Sequence, residues 1–512
     1  MTAPTNFLLI TSDQQHWFTL GVQNSEVKTP NLDRLAKRGT IFNRAYCPNP
    51  TCTPTRASII TGMMPSSHGA WSLGTALPEH HTTLGEALHA KGYMTGLIGK
   101  AHFQQLQETE KHQSMESYPL LRDLDFWKGF HGPWYGFDYI ELARNHADES
   151  HVGQHYAIWM EEKGLLDWKK HFVNETTGYD FNDPDSRTTH QLHDWTLPEE
   201  YHYNTWIAER SNTFIDTCVE EEKPFFLWSS FPDPHPPYLV PEPWASMYDP
   251  KDVTVPEVTP GEHGKNPPHF RMTQEKHPDF SDWQEEGGNG MHGFHSHLHD
   301  KEEMAKDIAI YYGMISFMDA YIGKILDHLD RKGLTDRTAV VFTTDHGHFF
   351  GQHGLVAKGP FHYEDVIKVP FVVSWPGHVP EGKESNALQS LIDLAPTFLR
   401  QAGAEVPFSM TGVDQTAVWE GHDSEARSSV VVEHHHQPTT IHVKTYVSDQ
   451  YKLTVYLHQT YGELFDLQED PGEINNLWND PKSQKLKAGL TTKLLHAVMG
   501  EESMPMPRVS GA

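Results

Sequence analysis

Short apolar runs that stop abruptly at ionisable residues constrain this chain more than any other feature. Phe7–Ile10 leads into Asp13-Gln14, Tyr93–Ile98 into Lys100 and His102, Phe225–Ser230 into His235, and Thr338–Thr344 into Asp345-His346. Unalternating runs of this length read as strands buried on both faces, the habit of a parallel sheet. Helical segments lie between them. Thr29-Pro30 to Gly39 carries a cap, a first-turn proline and a glycine stop, and Met304–Arg331 repeats apolar residues at helical spacing. Leu84–Ala90, Tyr203–Glu221 and Leu388–Gln401 also read as helices, and Val369–Trp375 as a further strand. The expected fold is α/β, with one large, mostly parallel sheet flanked by helices. Ligands of open α/β sheets bind beyond the carboxyl ends of the strands. Four ionisable endings therefore define a candidate site.

A fifth element points the same way. In Cys52-Thr53-Pro54-Thr55-Arg56, Pro54 suits the first turn of a helix that Ala57–Thr61 can continue. Cys52 then stands at a helix N-terminus, where free N–H groups favour an anion, and Arg56 lies one turn on along the same face. A lone Cys beside an Arg is more often a packing residue. Five converging elements with carboxylates, imidazoles, Lys and Arg instead suit a divalent cation and an oxyanion.

From Ser428 the pattern changes to short strands with turn breaks, Val430–Glu433, Ile441–Val447 and Tyr451–Tyr456, closed by a helix from about Lys482 to Met499. The division expected is a catalytic domain over 1–427 and a small C-terminal antiparallel sheet with a helix over 428–512. Stretches 104–205 and 257–300 read as elaborations near the site, the first with short helices, the second as lid or binding loops around Gly287–Gly290. The formal net charge of −29 argues against nucleic acid and anionic membrane as partners, so an anionic substrate needs a local basic pocket. Three cysteines make no disulfide framework and fit a reducing compartment. With no apolar run near the ~20 residues of a membrane span and no signal-like N-terminus, a soluble cytoplasmic protein is expected. Most of the 36 His are expected at the surface, including His434-His435-His436, at most a pocket rim. His348, His353 and His362 receive no role.

Cys-x-Pro-x-Arg followed by Ala-Ser-x-x-Thr-Gly resembles the signature of the type I, formylglycine-dependent sulfatases of the alkaline phosphatase superfamily. Thr29–Gly39 resembles that family's first helix, and Asp470-Pro471-Gly472-Glu473 to Asn476-Leu477 its C-terminal signature. Thr55 stands where the family usually has Ser or Ala, and it keeps the hydroxyl.

The resemblance implies an alkaline phosphatase-like fold and hydrolysis of sulfate esters, arylsulfatase-like, on a small-molecule substrate. It implies oxidation of Cys52 to formylglycine (3-oxoalanine) by a formylglycine-generating enzyme. The implied metal ligands are Asp13, Gln14, Asp345, His346 and the oxygen on modified Cys52. Oxygen ligands point to Ca²⁺, and the imidazole brings in Mn²⁺, with Mg²⁺ a further alternative. By the same resemblance Arg56 orients the nucleophile and Asp345 accepts its proton. Lys100, Lys358 and His235 hold the sulfate, His235 or Lys358 protonates the leaving oxygen, and His102 removes the proton that frees the product.

Asp-Gln and Asp-His in place of the commoner Asp-Asp and Asp-Asn also occur in related phosphonate monoester hydrolases. A phosphonate monoester or phosphodiester hydrolase is therefore the alternative reading, and a non-catalytic, metal-dependent anion binder the second. Trp134, Tyr135, Ser72–Thr75 and the 257–300 loops are candidates for the pocket of the alcohol group. Monomer and homo-oligomer both stay open.

Overall fold

The computed structural model describes residues 5–144, 152–172, 192–275, 279, 301–435 and 441–510. The eight strands of the large sheet are β1 (Asn6–Ser12), β2 (Thr40–Phe42), β3 (Met94–Gly99), β4 (Tyr139–Leu142), β5 (Phe225–Ser230), β6 (Thr338–Thr344), β7 (Val372–Ser374) and β8 (Lys383–Ser385). Their order is β8-β2-β7-β6-β1-β5-β3-β4. Only β7 runs against its neighbours; the other pairings are parallel. The central strands are buried throughout because apolar side chains leave from both faces. Phe7 and Leu9 enter one core with Ile59 and Ile60 of α2 (Cys52–Thr61). Leu8 and Ile10 enter the other, with Ile308, Ile315 and Ile322 of α4 (Lys301–Lys332) and Ile207 of α3 (Tyr203–Glu220).

Register explains why the strand endings converge. Ser12 pairs with Thr344, Thr11 with Ser230, and Gly99 with Ser230, so β6, β1, β5 and β3 finish level, side by side. Gly99 closes β3 at φ 110°, and a Cβ there would meet the Ser230 carbonyl at 1.9 Å. Only glycine lets the chain turn there towards Lys100.

Three expectations are corrected. Val369–Trp375 is not one strand. Pro370 has no N–H to extend a ladder, so Lys368–Val369 pairs with Ala45–Tyr46 while β7 joins the large sheet in reverse. The helix expected from Leu388 starts later, as α5 (Leu394–Gln401), because the Ser390–Asp393 capping box first closes a 3₁₀ turn. The 104–205 elaboration is also more than short helices, since it supplies edge strand β4.

The C-terminal strands Ser429–His434, Val443–Ser448, Tyr451–Tyr456 and Gly462–Asp466 form a four-stranded antiparallel meander. Helix α6 (Gln484–Gly500) packs on it through Leu490 and Leu494. Gly287–Gly290 lies outside the described residues. Among the described residues no helix is long and apolar enough to cross a membrane.

Candidate active site

Every residue singled out at the strand ends reaches one buried cluster. Cys52 begins α2, and its Sγ lies 3.6 Å from Asp13 Oδ1, 3.3 Å from His346 Nε2, 3.3 Å from Lys358 Nζ and 3.9 Å from Lys100 Nζ. Arg56 is fully buried between the two carboxylates. Its Nε donates to Asp345 Oδ2 at 2.9 Å, and its Nη2 lies 3.5 Å from Asp13 Oδ2. Its Nη1 donates to the Lys100 carbonyl at 3.0 Å and to Ser230 Oγ at 2.8 Å. Arg56 thus ties β1, β3, β5 and β6 to α2. Lys100 forms a close ion pair with Asp13. Lys358 Nζ is equidistant, at 3.3 Å, from the thiol, His235 Nε2 and His346 Nε2.

Ligand atoms of Asp13, Cys52, Asp345 and His346 all lie within 4.8 Å of one another, which fits a single metal ion. Gln14 is a further candidate ligand. Its Nε2 donates to His348 Nδ1 at 2.8 Å, which leaves Oε1 buried and without a hydrogen-bond partner. A buried amide oxygen left bare is costly unless something coordinates it. His346 is prepared in the same way. Its Nδ1 donates to the Gly347 carbonyl at 3.0 Å, so Nε2 offers a lone pair to the cluster. Burial brings the His346 pKa down to about 4, which keeps the ring neutral. Three neutral or anionic oxygen donors and one imidazole suit a hard to borderline divalent cation.

Electrostatics follow from burial against three cations. Desolvation opposes ionisation of Asp13, but Lys100, His235, Arg56 and Lys358 outweigh it and hold the carboxyl well below the usual range. Burial, and then Asp13, push the Cys52 thiol up to about 11 despite the two lysines, so the free thiol is a poor nucleophile near neutral pH. Burial and then Lys358 depress His235. Its Nδ1 donates to the Pro236 carbonyl at 2.6 Å, leaving Nε2 to accept from Lys358. Burial, Lys100 and Arg56 keep His102 neutral.

Several supporting residues escaped the sequence reading. His348, given no role, holds the Gln14 amide and reaches Tyr238 Oη at 2.7 Å. Tyr311 Oη donates to the Gln14 carbonyl at 2.8 Å and accepts the His16 N–H at 2.9 Å. The Asp233 carbonyl accepts the Asp13 N–H at 3.0 Å, while its buried carboxyl takes hydrogen bonds from Tyr203 and Asn204. The Glu116 carboxylate holds the backbone after His102. The only sequence signals were Asp233's place in the Pro-flanked His235 run and the second His of Asp345-His346-Gly347-His348.

Some placements are corrected. His434 is buried, with its ring 6.0 Å from that of His362, because the strand carrying it is covered on that side. Many other histidines are buried as well, among them His16, His68, His202 and His269. His435 stacks between Trp71 at 4.7 Å and His442 at 4.2 Å; His436 lies outside the described residues. Trp134 and Tyr135 are buried against Phe103 and brace the loop after His102. Just after Ser72–Thr75, the Leu77 N–H reaches the Phe103 carbonyl of that loop at 2.8 Å.

A buried helix start facing two lysines, beside a group of side chains that could hold a metal ion, is suited to a tetrahedral oxyanion. This defines an α/β hydrolase of anionic esters. Comparison with known proteins agrees. The Sulfatase family model matches residues 5–404, and the model "N-sulphoglucosamine sulphohydrolase, C-terminal" matches 351–499. An arylsulfatase of Clostridium perfringens is 29% identical over 97% of this chain and 95% of its own length. A multifunctional alkaline phosphatase superfamily protein, PehA, of Trinickia caryophylli is 28% identical over 96% of each chain. The phosphonate monoester hydrolase SpPMH from Silicibacter pomeroyi superposes with a TM-score of 0.77 at 22% identity, covering 98% of this chain and 96% of that one. The chain belongs to the sulfatase family, within the alkaline phosphatase superfamily, and is a sulfuric ester hydrolase.

Proposed function

We propose that this protein hydrolyses small sulfate monoesters of the arylsulfatase kind, with residue 52 oxidised to formylglycine and one divalent ion bound by Asp13, Gln14, Asp345 and His346. The observation that carries the reading is Cys52 at the start of a buried helix, 3.3 Å from both Lys358 Nζ and His346 Nε2. Formylglycine supplies a hydrated aldehyde oxygen as nucleophile where the buried thiol is a weak one. The ion would supply Lewis acidity when bound; the ligand set favours Ca²⁺, with Mn²⁺ or Mg²⁺ as alternatives.

The chain's own residues do the rest. Lys100 and Lys358 bind the equatorial oxygens of the ester. Lys358 Nζ also carries the proton for the leaving oxygen. What favours Lys358 over His235 is that the His235 Nδ1–H faces the Pro236 carbonyl and its Nε2 accepts from Lys358. Asp345 is held by Arg56 and by the N–H groups of Gln14 and His346, each 3.0 Å from Oδ1, and receives the nucleophile's proton. His102, neutral, takes the second proton. Maturation requires a formylglycine-generating enzyme, and three free thiols fit a reducing cytoplasm. We read 1–427 as the catalytic unit and 428–512 as a subdomain.

Intact mass tests the first step: conversion of Cys52 lowers the mass by about 18 Da. Cys52→Ala is expected to reduce kcat on an aryl sulfate by roughly 10⁴-fold or more. An unmodified, inactive protein from cells that contain the maturation enzyme overturns the reading in favour of a metal-dependent anion binder. A second reading, phosphonate monoester or phosphodiester hydrolysis, is favoured by Gln14 and His346 in the ligand set. Paired aryl sulfate and aryl phosphonate kinetics separate the two. Both substrates are monoanions, so charge alone does not choose between them, whereas a dianionic phosphate monoester is expected to be the poorest of the three.

A further inference from the structure

We propose that Glu116, from the elaboration after β3, is a positioning residue for His102; this rests on the reading of His102 as a proton acceptor. A catalytic imidazole is ordinarily oriented by a hydrogen bond to its second ring nitrogen. His102 Nδ1 is buried and has no such partner among the described residues. Its direction must therefore be set by the backbone. That backbone is in the left-handed region, φ 57°, which a residue other than Gly, Asn or Asp adopts only under strain.

Three successive N–H groups hold it there by meeting one carboxylate. His102 N–H reaches Glu116 Oε1 at 2.7 Å, and the N–H groups of Phe103 and Gln104 reach Oε2 at 2.8 and 2.9 Å. Consecutive N–H groups converging in this way form a concave anion nest. Nests commonly hold a ligand's phosphate; here an internal carboxylate, 1% exposed, fills it permanently. The clamp is itself fixed. Glu116 N–H donates to Ser114 Oγ at 3.0 Å, Ser114 Oγ donates to the Gln105 carbonyl at 2.7 Å, and Met115 N–H reaches Gln104 Oε1 at 2.7 Å. On the other side Phe103 is wedged among Trp134, Tyr135 and Trp228. Trp228 in turn lies under the Arg56 guanidinium at 5.9 Å. The loop thus presents His102 beside Lys100 with both ends anchored, and among the described residues the hydrogen bond from its own N–H, at the unfavourable φ, goes to Glu116.

Glu116→Gln keeps the size but turns an NH₂ towards the nest, so at least one of the three bonds is lost. In a crystal structure of this variant, His102 is expected to leave the left-handed region and its imidazole to move. On an aryl sulfate, kcat is expected to fall roughly 10- to 100-fold with KM within about threefold, the size of effect an ångström of misplacement produces. In a His102→Ala background the same substitution is expected to change kcat less than about twofold, because what it positions is gone. Should Glu116→Gln not fold, Ser114→Ala loosens the same clamp and is expected to give the same pattern at about threefold. An unmoved His102 in Glu116→Gln overturns the clamp irrespective of turnover. An undiminished effect in the His102→Ala background shows that Glu116 acts elsewhere and also overturns the proposal. A displaced His102 with unchanged kcat overturns it by a different route, since it removes His102 from the reaction while leaving the rest of the proposed site standing.

Discussion

Two buried sets of ionisable residues sit side by side at this end of the sheet, and they carry opposite excesses. Around Cys52, the cations Arg56, Lys100 and Lys358 face the carboxylates Asp13 and Asp345. Beside them runs a chain from Glu262 through His353 and Asp365 to His16. His353 Nδ1 lies 3.4 Å from Glu262, His353 Nε2 lies 3.6 Å from Asp365, and His16 Nε2 donates to Asp365 at 2.9 Å. The two sets are joined through His348, whose N–H reaches the Asp365 carbonyl at 3.0 Å and whose ring holds Gln14. The acid-rich chain offsets part of its excess internally. Burial alone would lower His353, but Asp365 and Glu262 outweigh it and push the imidazole up to about 9, so it keeps its proton. The cation-rich set has no such remedy. Lys358 faces two imidazoles and a thiol and pairs with no carboxylate among the described residues. Buried charge that the protein can neutralise itself is structural, and buried charge that it leaves to a ligand is functional.

The sharpest way to break this contrast is to remove the unanswered cation. Lys358→Met is expected to lower kcat/KM on an aryl sulfate by about 10³-fold, since it deletes an oxyanion donor in a site shielded from water. Thermal stability should stay level or rise, because no carboxylate is left unpaired. Steady-state kinetics with a melting curve on the same preparation check both. The mirror-image change is Asp365→Asn, which strands His353 and His16. It is expected to cost about 3–5 kcal/mol of stability, read by urea denaturation. Folded Asp365→Asn protein should keep kcat within about tenfold. Equal damage to turnover from the two substitutions would erase the distinction between the sets.

The first set was legible in the sequence and the second was not, for a physical reason. Asp13, Lys100, His235 and Asp345 each follow a run whose burial on both faces is written in its composition, and parallel register then brings the endings level. His353 and Glu262 follow no strand of the large sheet, and His16, four residues past β1, lies beyond the ionisable pair that marks the end of its run. They meet Asp365 only because loops from distant parts of the chain are packed together, and a histidine in a loop carries no mark of burial. Glu116 was invisible for a related reason. Its partners are backbone N–H groups, which every residue but proline possesses, so no side-chain pattern announces it. Pro370 was visible and misread: the apolar run around it outweighed its missing N–H, and the split into two strands of different sheets followed from that missing donor.

The smaller effect concerns pH. An imidazole whose folded pKa is about 9, against about 6.5 when unfolded, binds its proton more tightly in the native state. Its contribution to stability is complete below about pH 6.5 and is lost as pH rises through 9, a linkage of roughly 3 kcal/mol. Asp365, held well below the usual carboxylate range by His16 and His353 against the cost of burial, has the opposite sense: its contribution is lost as the solution becomes acid. Wild-type protein should therefore lose stability between pH 6 and pH 9.5 in urea titrations. His353→Gln should be less stable at pH 6 and show a shallower decline, because the proton it would release is absent from both states. Comparing the two proteins cancels the titrations around Cys52, which they share. If His353→Gln declined as steeply as wild type, the proton would not reside on this chain, and the acid-rich set would have to be balanced elsewhere in the fold.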